Sequence, residues 1–151
     1  MITVYRFAPE RFSTDLSGTG AKLFGGRWNS IGVPAVYTSF TISLALVELF
    51  IHKNTYDEIL INHLMEITIA DNISTKIDYN KLKQNWQNDE SYCQYIGNQF
   101  LTAPTTIGMS VPSAIIEQEN NLVLNPMSKD FNKKVKIKKV KPFLFDGRLF
   151  K

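Results

Sequence analysis

The segment Ile42–Ile51 constrains the fold most, because eight of its ten residues are apolar and Glu48 is its one charged residue. Thr41, or Ser39 before it, supplies a hydroxyl oxygen of the kind that helix N-termini prefer. We therefore predict a helix over Ile42–Lys53. A helix that is apolar on almost every side is buried in a core. The chain must fold around this helix and accommodate one carboxylate within it.

The rest of the chain mixes strands and helices. The predicted strands are Ile2–Phe7, Ala35–Thr38, Ile59–Ala70, Ser74–Ile77, Val111–Ile116, Leu122–Leu124 and, as one or two strands, Val135–Phe145. Two more helices are predicted over Tyr79–Trp86 and Ser91–Leu101. Strands outnumber helices and show no regular βαβ alternation. This pattern predicts a single compact α+β domain over residues 1–151 and argues against a doubly wound nucleotide-binding fold.

Composition narrows the class of protein. A hydrophobic content of 44% suits a folded globular chain. The single cysteine, Cys93, excludes an intramolecular disulfide, and with only His52 and His63 as histidines we expect no zinc or other metal site. The N-terminus does not resemble a signal peptide, and no run of 18 apolar residues is present. We expect a soluble, cytoplasmic protein that does not contact a membrane.

Positive charge is concentrated near the C-terminus. Without six closely spaced lysines the net charge of +3 becomes −3; these are Lys133, Lys134, Lys136, Lys138, Lys139 and Lys141. Such a segment suits nucleic acid or an acidic partner. Val135, Ile137 and Val140 interleave with the lysines, however, as in an edge strand whose charges prevent aggregation. We favour the edge strand, because the run lacks aromatic residues on which bases stack.

Glu48 is the most informative residue. A carboxylate among apolar neighbours is costly unless a partner compensates it. It either forms a buried ion pair with an arginine or faces a cleft that receives a polar or cationic substrate. The local pattern leaves both interpretations open.

A second candidate lies in Ser13–Gly32, where five glycines predict an irregular loop. Gly25 and Gly26 would let a backbone approach a ligand closely. Arg27 offers a forked cation for a phosphate, and Trp28 a ring for stacking. On local sequence alone, an ordinary turn with a surface arginine and a core tryptophan is the favoured interpretation.

Three further polar residues stand at strand positions. Arg6 shares a strand face with Ile2 and Val4, so it either forms a salt bridge at the strand end or points into a pocket. Tyr37 lies near the end of the second strand. Ser113 begins a later strand, where serines are usually structural.

These pieces occur together in one known family. The matching stretches are Tyr5-Arg6, Gly25-Gly26-Arg27-Trp28-Asn29-Ser30 followed by Gly32, Pro34, Val36-Tyr37 and Ser39, then Ser43 to Glu48, Val111 to Ile116, Asn120 to Pro126, and Phe145-Asp146 with Arg148-Leu149. Their order and spacing resemble the RES-domain family, named for an Arg, a Glu and a Ser, over almost the whole chain.

The resemblance implies a fold similar to that of ADP-ribosyltransferases, with mixed sheets and flanking helices. It implies a toxin of a type II toxin–antitoxin pair that depletes NAD⁺ and arrests growth, with water or inorganic phosphate as acceptor and no metal. It assigns catalysis to Arg27, Tyr37 and Glu48. It assigns NAD⁺ binding to Arg6, Gly26, Arg27, Trp28, Tyr37 and Ser113.

The resemblance also implies an Xre-type antitoxin as partner and allows a homodimer, with nucleic acid contacted only through the antitoxin. Two other functions remain open at this point. The same pocket would serve an ADP-ribosyltransferase that modifies a protein. A non-catalytic module that binds nucleic acid or a partner through the lysine-rich strand belongs to another class.

Overall fold

The computed structural model of the chain describes residues 1–70 and 74–151. Its strands form one mixed seven-stranded sheet. The strands in chain order are β1 Ile2–Pro9, β2 Val36–Ser39, β3 Asn62–Ile69, β4 Ser74–Lys76, β5 Gly108–Pro112, β6 Asn120–Leu124 and β7 Val135–Pro142. The order across the sheet is β4-β5-β6-β2-β1-β3-β7, and all neighbours pair antiparallel except β4 and β5. The predicted α+β class is confirmed.

Helices cover the sheet. They are α1 Thr19–Phe24, α2 Ile42–His52, α3 Tyr56–Leu60, α4 Glu90–Leu101 and α5 Phe131–Lys134. The predicted helix at α2 is confirmed, and Thr41 rather than Ser39 is its N-cap, since Thr41 Oγ1 accepts the Leu44 N–H at 3.1 Å. No helix in the described part of the chain is long and apolar enough to cross a bilayer.

Helix α2 is less buried than its composition predicts. Leu44, Ala45 and Leu49 are buried, and the helix packs on β1 and β2, but Ile51 is 60% exposed near the C-terminal end. The side of α2 away from the sheet is partly covered by aromatic residues; the rings of Phe50 and Phe150 stack at 5.6 Å. The side chain of Glu48 is itself 22% exposed, so it lies at a partly covered face of the helix, where a cleft can reach it.

Strand β1 occupies the middle of the sheet, and its two edges differ. Along one edge it pairs with β3 over its full length, from Ile2 opposite Ile69 to Pro9 opposite Asn62. Along the other it shares one pair with β2, Tyr5 opposite Ser39. The two strands separate on leaving this pair, and the sheet opens there.

Several predicted boundaries are wrong for local reasons. The predicted strand Ile59–Ala70 begins only at Asn62, because the Thr55 side chain caps helix α3 before it. The predicted helix Tyr79–Trp86 is instead two 3₁₀ turns, Tyr79–Lys81 and Trp86–Asn88, separated by Asn85 in the left-handed region at φ 62°.

Two further predictions need correction. The loop predicted over Ser13–Gly32 contains helix α1. The strand predicted over Val111–Ile116 is shifted to Gly108–Pro112, because Ser113 Oγ accepts the N–H groups of Ile115 and Ile116 and turns the chain.

The lysine-rich segment forms β7, which lies at the edge of the sheet as predicted. Its register against β3 shifts between Glu66 and Ile67, which leaves Lys138 as the extra residue of a β-bulge. A charged, bulged edge strand resists pairing with another sheet.

Helix α4 packs directly on the backbone of the glycine-rich loop, and Gly97 makes this approach possible. A Cβ atom at Gly97 would lie 1.8 Å from the Trp28 carbonyl oxygen. Gln94 and Asn98 on the same helix bond the loop, through the Gly26 carbonyl and Ser30. Contacts with α4 thus hold the glycine-rich loop in place.

We predict that Gly97→Ala lowers the free energy of unfolding by about 2 kcal/mol or more, because backbone must move to admit the methyl group. Urea denaturation measures the loss. Gly147→Ala is the matched control, since a Cβ there meets no atom within 4 Å. Equal stability of the two variants would contradict the close packing of α4 on the loop.

Candidate active site

A cleft of about 580 Å³ opens where β1 and β2 separate. Residues from β1, α1, the glycine-rich loop, β2 and α2 line it. Six of the residues assigned by the resemblance are among them: Arg6, Gly26, Arg27, Trp28, Tyr37 and Glu48. The seventh, Ser113, lies behind the wall, between the lining residues Pro112 and Ala114.

Glu48 is held in one orientation by hydrogen bonds from two distant residues. Its Oε1 accepts from Ser113 Oγ at 2.9 Å and from Asn121 Nδ2 at 2.8 Å. Asn121 is oriented in turn by Ser39 Oγ, which donates to its Oδ1 at 2.7 Å. The side chain of Glu48 is 22% exposed. This is a cleft carboxylate fixed by neutral donors, and the buried Glu–Arg ion pair weighed from the sequence does not form.

The same contacts keep Glu48 ionised. Burial acts to raise the pKa of its carboxyl, but hydrogen bonds from His52, Asn121 and Ser113 together outweigh burial, and the pKa falls below the usual 4.5. His52 lies one turn along α2, with its Nε2 3.5 Å from the other carboxylate oxygen, Oε2. Glu48 therefore carries its negative charge at neutral pH.

Ser113 is a positioning residue in this structure. It is fully buried, accepts two backbone N–H groups with its Oγ and donates its proton to Glu48. Ser113 is therefore a structural serine that also orients the Glu48 carboxylate. It does not itself line the cleft.

Arg6 reaches across the gap in the sheet. Its Nη1 donates to the Tyr37 carbonyl oxygen at 3.1 Å, and its buried Nε has no hydrogen-bond partner among the described residues. Burial lowers its pKa from the usual value, with the charge of Asp15 acting in the opposite direction. A guanidinium with an unused buried donor at a cleft wall is suited to bind an anion.

Arg27 supplies a second cation. Its Nη1 donates to the Gln87 carbonyl oxygen at 2.9 Å, and its guanidinium carbon lies 5.9 Å from the Trp86 ring centroid. Within residues 1–70 and 74–151, no carboxylate forms a salt bridge with either Arg6 or Arg27. Both charges remain available to a ligand.

Tyr37 fixes the glycine-rich loop. Its hydroxyl donates to Asn29 Oδ1 at 2.6 Å and accepts the Trp28 N–H at 2.9 Å. Burial raises the pKa of the phenol well above its usual value, so it stays neutral. Gly26 is required beneath it, since a Cβ there would lie 2.7 Å from the Tyr37 hydroxyl. With its proton already donated, Tyr37 offers a ligand mainly its ring.

Trp28 occupies the core, as the local sequence favoured. It is 2% exposed, and its ring packs against Trp86 at 5.7 Å between centroids. An indole placed in this way has no free face for a ligand ring.

Sequence reasoning missed two residues that touch Glu48. His52 had a usable signal, because residues four apart on a helix are neighbours. Asn121 had none, because it lies near the start of β6, 73 residues away in sequence. In the described part of the chain, no group of three or more His, Cys, Asp or Glu side chains is arranged to hold a metal ion.

The cleft thus presents a fixed negative charge from α2 and two guanidinium groups that pair with no carboxylate of residues 1–70 and 74–151. This arrangement suits a ligand that carries both an anionic group and a centre of positive charge. The arginines would hold the anion and Glu48 would face the positive centre.

Comparison with known proteins agrees with the resemblance. A family model described as the RES domain matches residues 3–146. The protein named Toxin Res from Photorhabdus laumondii subsp. laumondii is 41% identical, over 98% of this chain and 97% of its own. Toxin Res from Yersinia enterocolitica is 32% identical over 97% and 98%. The Prs ADP-ribosylating toxin of a Sphingobium species is 34% identical over 91% and 88%.

A solved structure shares the fold. A chain in the crystal structure of the M. tuberculosis MbcT–MbcA toxin–antitoxin complex superimposes with a TM-score of 0.71, covering 94% of this chain and 84% of that one at 23% identity. The matched residues of the family model include every residue of the cleft wall described above. The chain belongs to the RES domain family.

Proposed function

We propose that this chain is the toxin of a toxin–antitoxin pair and cleaves NAD⁺ at the bond between nicotinamide and ribose. The observation that carries the proposal is the Glu48 carboxylate, held by Ser113 and Asn121 at a cleft that also holds two arginines for which the described residues provide no carboxylate partner. Relatives named Toxin Res and an ADP-ribosylating toxin support the same class of function.

The chemistry requires a negative group beside the ribose. As the C–N glycosidic bond breaks, its electron pair leaves with nicotinamide, which departs as a neutral molecule. Positive charge then develops on the ribose as an oxocarbenium ion, as in glycoside hydrolysis. The fixed Glu48 carboxylate stabilises this charge without having to reorient. Water then adds and releases a proton to give ADP-ribose, or inorganic phosphate adds to give ADP-ribose 1-phosphate.

The remaining residues bind and orient the dinucleotide. Arg6 and Arg27 suit the diphosphate, because a guanidinium donates two parallel hydrogen bonds to phosphate oxygens. Tyr37 contributes a ring and holds the loop that carries Arg27. No step in this scheme requires a metal ion.

Transfer of ADP-ribose to a protein is a second candidate. It is favoured by one observation, the 34% identity to a relative named Prs ADP-ribosylating toxin. The pocket and the role of Glu48 are the same in both functions, and the acceptor alone differs.

We also propose an antitoxin as partner, of the Xre type that the family resemblance implies, which covers the cleft and blocks entry of NAD⁺. The fold neighbour was solved as a toxin–antitoxin complex. Since NAD⁺ is a metabolite of the cell interior, the proposed site of action is the cytoplasm.

We predict that Glu48→Gln lowers nicotinamide release from NAD⁺ by about 100-fold or more, because a neutral amide cannot stabilise the developing cation. Chromatographic quantification of nicotinamide measures the rate. Glu10→Gln is the control, since Glu10 is exposed and does not line the cleft. Full activity in Glu48→Gln would remove this residue from the mechanism.

We predict that the acid limb of kcat/KM lies below pH 4.5 and moves to higher pH in Asn121→Ala. The variant loses one donor that stabilises the carboxylate, so the pKa of Glu48 rises. The lowered pKa also means that this carboxylate stabilises the fold above pH 4.5 and ceases to do so as the pH falls below its folded value. Asn132→Ala, an exposed site, serves as control. An unmoved limb would show that Asn121 does not act on Glu48.

We predict that product analysis separates the three acceptors. NAD⁺ incubated with the protein yields ADP-ribose if water is the acceptor, and ADP-ribose 1-phosphate when phosphate is added if phosphate is. Labelled NAD⁺ that marks mainly protein in a cell extract would instead support the transferase. Intact NAD⁺ under all three conditions would reject the proposed function.

A further inference from the structure

An unusually exposed aromatic residue stands at the cleft. Phe24, the last residue of α1, lines the cleft and is 82% exposed. Exposure of so large an apolar side chain costs free energy in water, and a ring at the mouth of a pocket is often covered when the ligand binds. Phe24 therefore needs an explanation that the residues around Glu48 do not provide.

Helix α1 presents one face to the cleft. Gly20, Ala21 and Phe24 all line it, and residues four apart share a helix face. A Cβ atom at Gly20 would meet no atom within 4 Å, so the space above this residue is open. The helix thus presents a surface without a side chain at Gly20, one turn from the ring of Phe24.

Trp28, whose ring the sequence offered as an alternative for stacking, cannot serve. Trp28 is buried against Trp86. NAD⁺ nevertheless carries two flat rings, adenine and nicotinamide, and a flat heteroaromatic ring binds well against an aromatic side chain. Both residues line the cleft, but only Phe24 has an exposed ring, at 82% against 2% for Trp28.

We propose that Phe24, with the open helix face at Gly20, is the stacking platform for a planar ring of the substrate. This inference rests on the proposed function, in that it takes the ligand to be NAD⁺. It makes Phe24 a specificity-determining residue, because the platform selects a ligand that carries an aromatic base over a plain sugar phosphate.

The test measures binding in the Glu48→Gln variant, so that NAD⁺ is not consumed. Calorimetric titration gives Kd for NAD⁺, and adding Phe24→Ala is expected to weaken binding by about tenfold or more. Phe24→Trp restores the affinity because it restores the ring. Leu23→Ala is the matched control: Leu23 is on the same helix and 60% exposed, but does not line the cleft.

A second variant tests the open helix face at Gly20. A Cβ atom at Gly20 meets no atom within 4 Å and leucine improves helix propensity, so we expect Gly20→Leu to retain the fold. The leucine side chain occupies the open helix face against which the ligand's ring would lie. We therefore expect the affinity for NAD⁺ to fall, as it does in Phe24→Ala.

Two smaller ligands show which ring of NAD⁺ stacks on Phe24. Of the two rings, ADP-ribose carries adenine alone and nicotinamide mononucleotide carries nicotinamide alone. The ligand whose affinity falls in Phe24→Ala contains the stacked ring, and either result supports the platform. Unchanged affinity for all three ligands in Phe24→Ala and Gly20→Leu overturns it while leaving the proposed function intact. No binding of NAD⁺ to the Glu48→Gln parent, together with no turnover by the unmodified protein, overturns both.

Discussion

The hydrogen bonds from Ser113 and Asn121 to Glu48 are the interaction on which the rest of the site depends. They join helix α2 to the ends of two strands that lie 65 and 73 residues further along the chain. Burial acts to raise the pKa of the Glu48 carboxyl, but His52 and these two donors together outweigh burial, so the carboxylate remains charged without an arginine partner. In the part of the chain that the structure describes, the two arginines of the cleft form no ion pair with a carboxylate. A single set of contacts therefore accounts for both signs of charge being available in one cavity.

The cavity forms because two neighbouring strands of the sheet, β1 and β2, are paired over only part of their length. Strand β1 pairs fully with β3 but shares one residue pair with β2, and the gap beyond Tyr5 and Ser39 is where the cleft opens. Arg6 bridges the gap through the Tyr37 carbonyl, and α4 supports the glycine-rich loop on the far side. A sheet that was paired throughout would have no space at this point, so the cleft opens at the shortest strand pairing in the described sheet.

What the sequence could predict follows from the range of each interaction. Helix α2 and strand β1 were found because their apolar patterns are local, and the lysine-rich edge strand because its alternation is visible in nine residues. The displaced strand at Ser113 and the broken helix at Asn85 were missed, since a side-chain turn and one left-handed residue override propensity. Asn121 was missed because its partner is remote. Even the cleft assignments of Arg6 and Glu48 came from the family resemblance, as each residue alone allowed a structural alternative.

The long separation between Glu48 and its donors has a consequence for biosynthesis. A ribosome adds about 5–20 residues per second, so roughly 4–15 s pass between the synthesis of Glu48 and that of Asn121, 73 residues later. For most of that interval the nascent chain holds the carboxylate without either group that aims it, since Ser113 follows Glu48 by 65 residues. A fragment released before Ser113 is made carries Arg6, Arg27 and Glu48 but not the hydrogen bonds that fix the carboxylate.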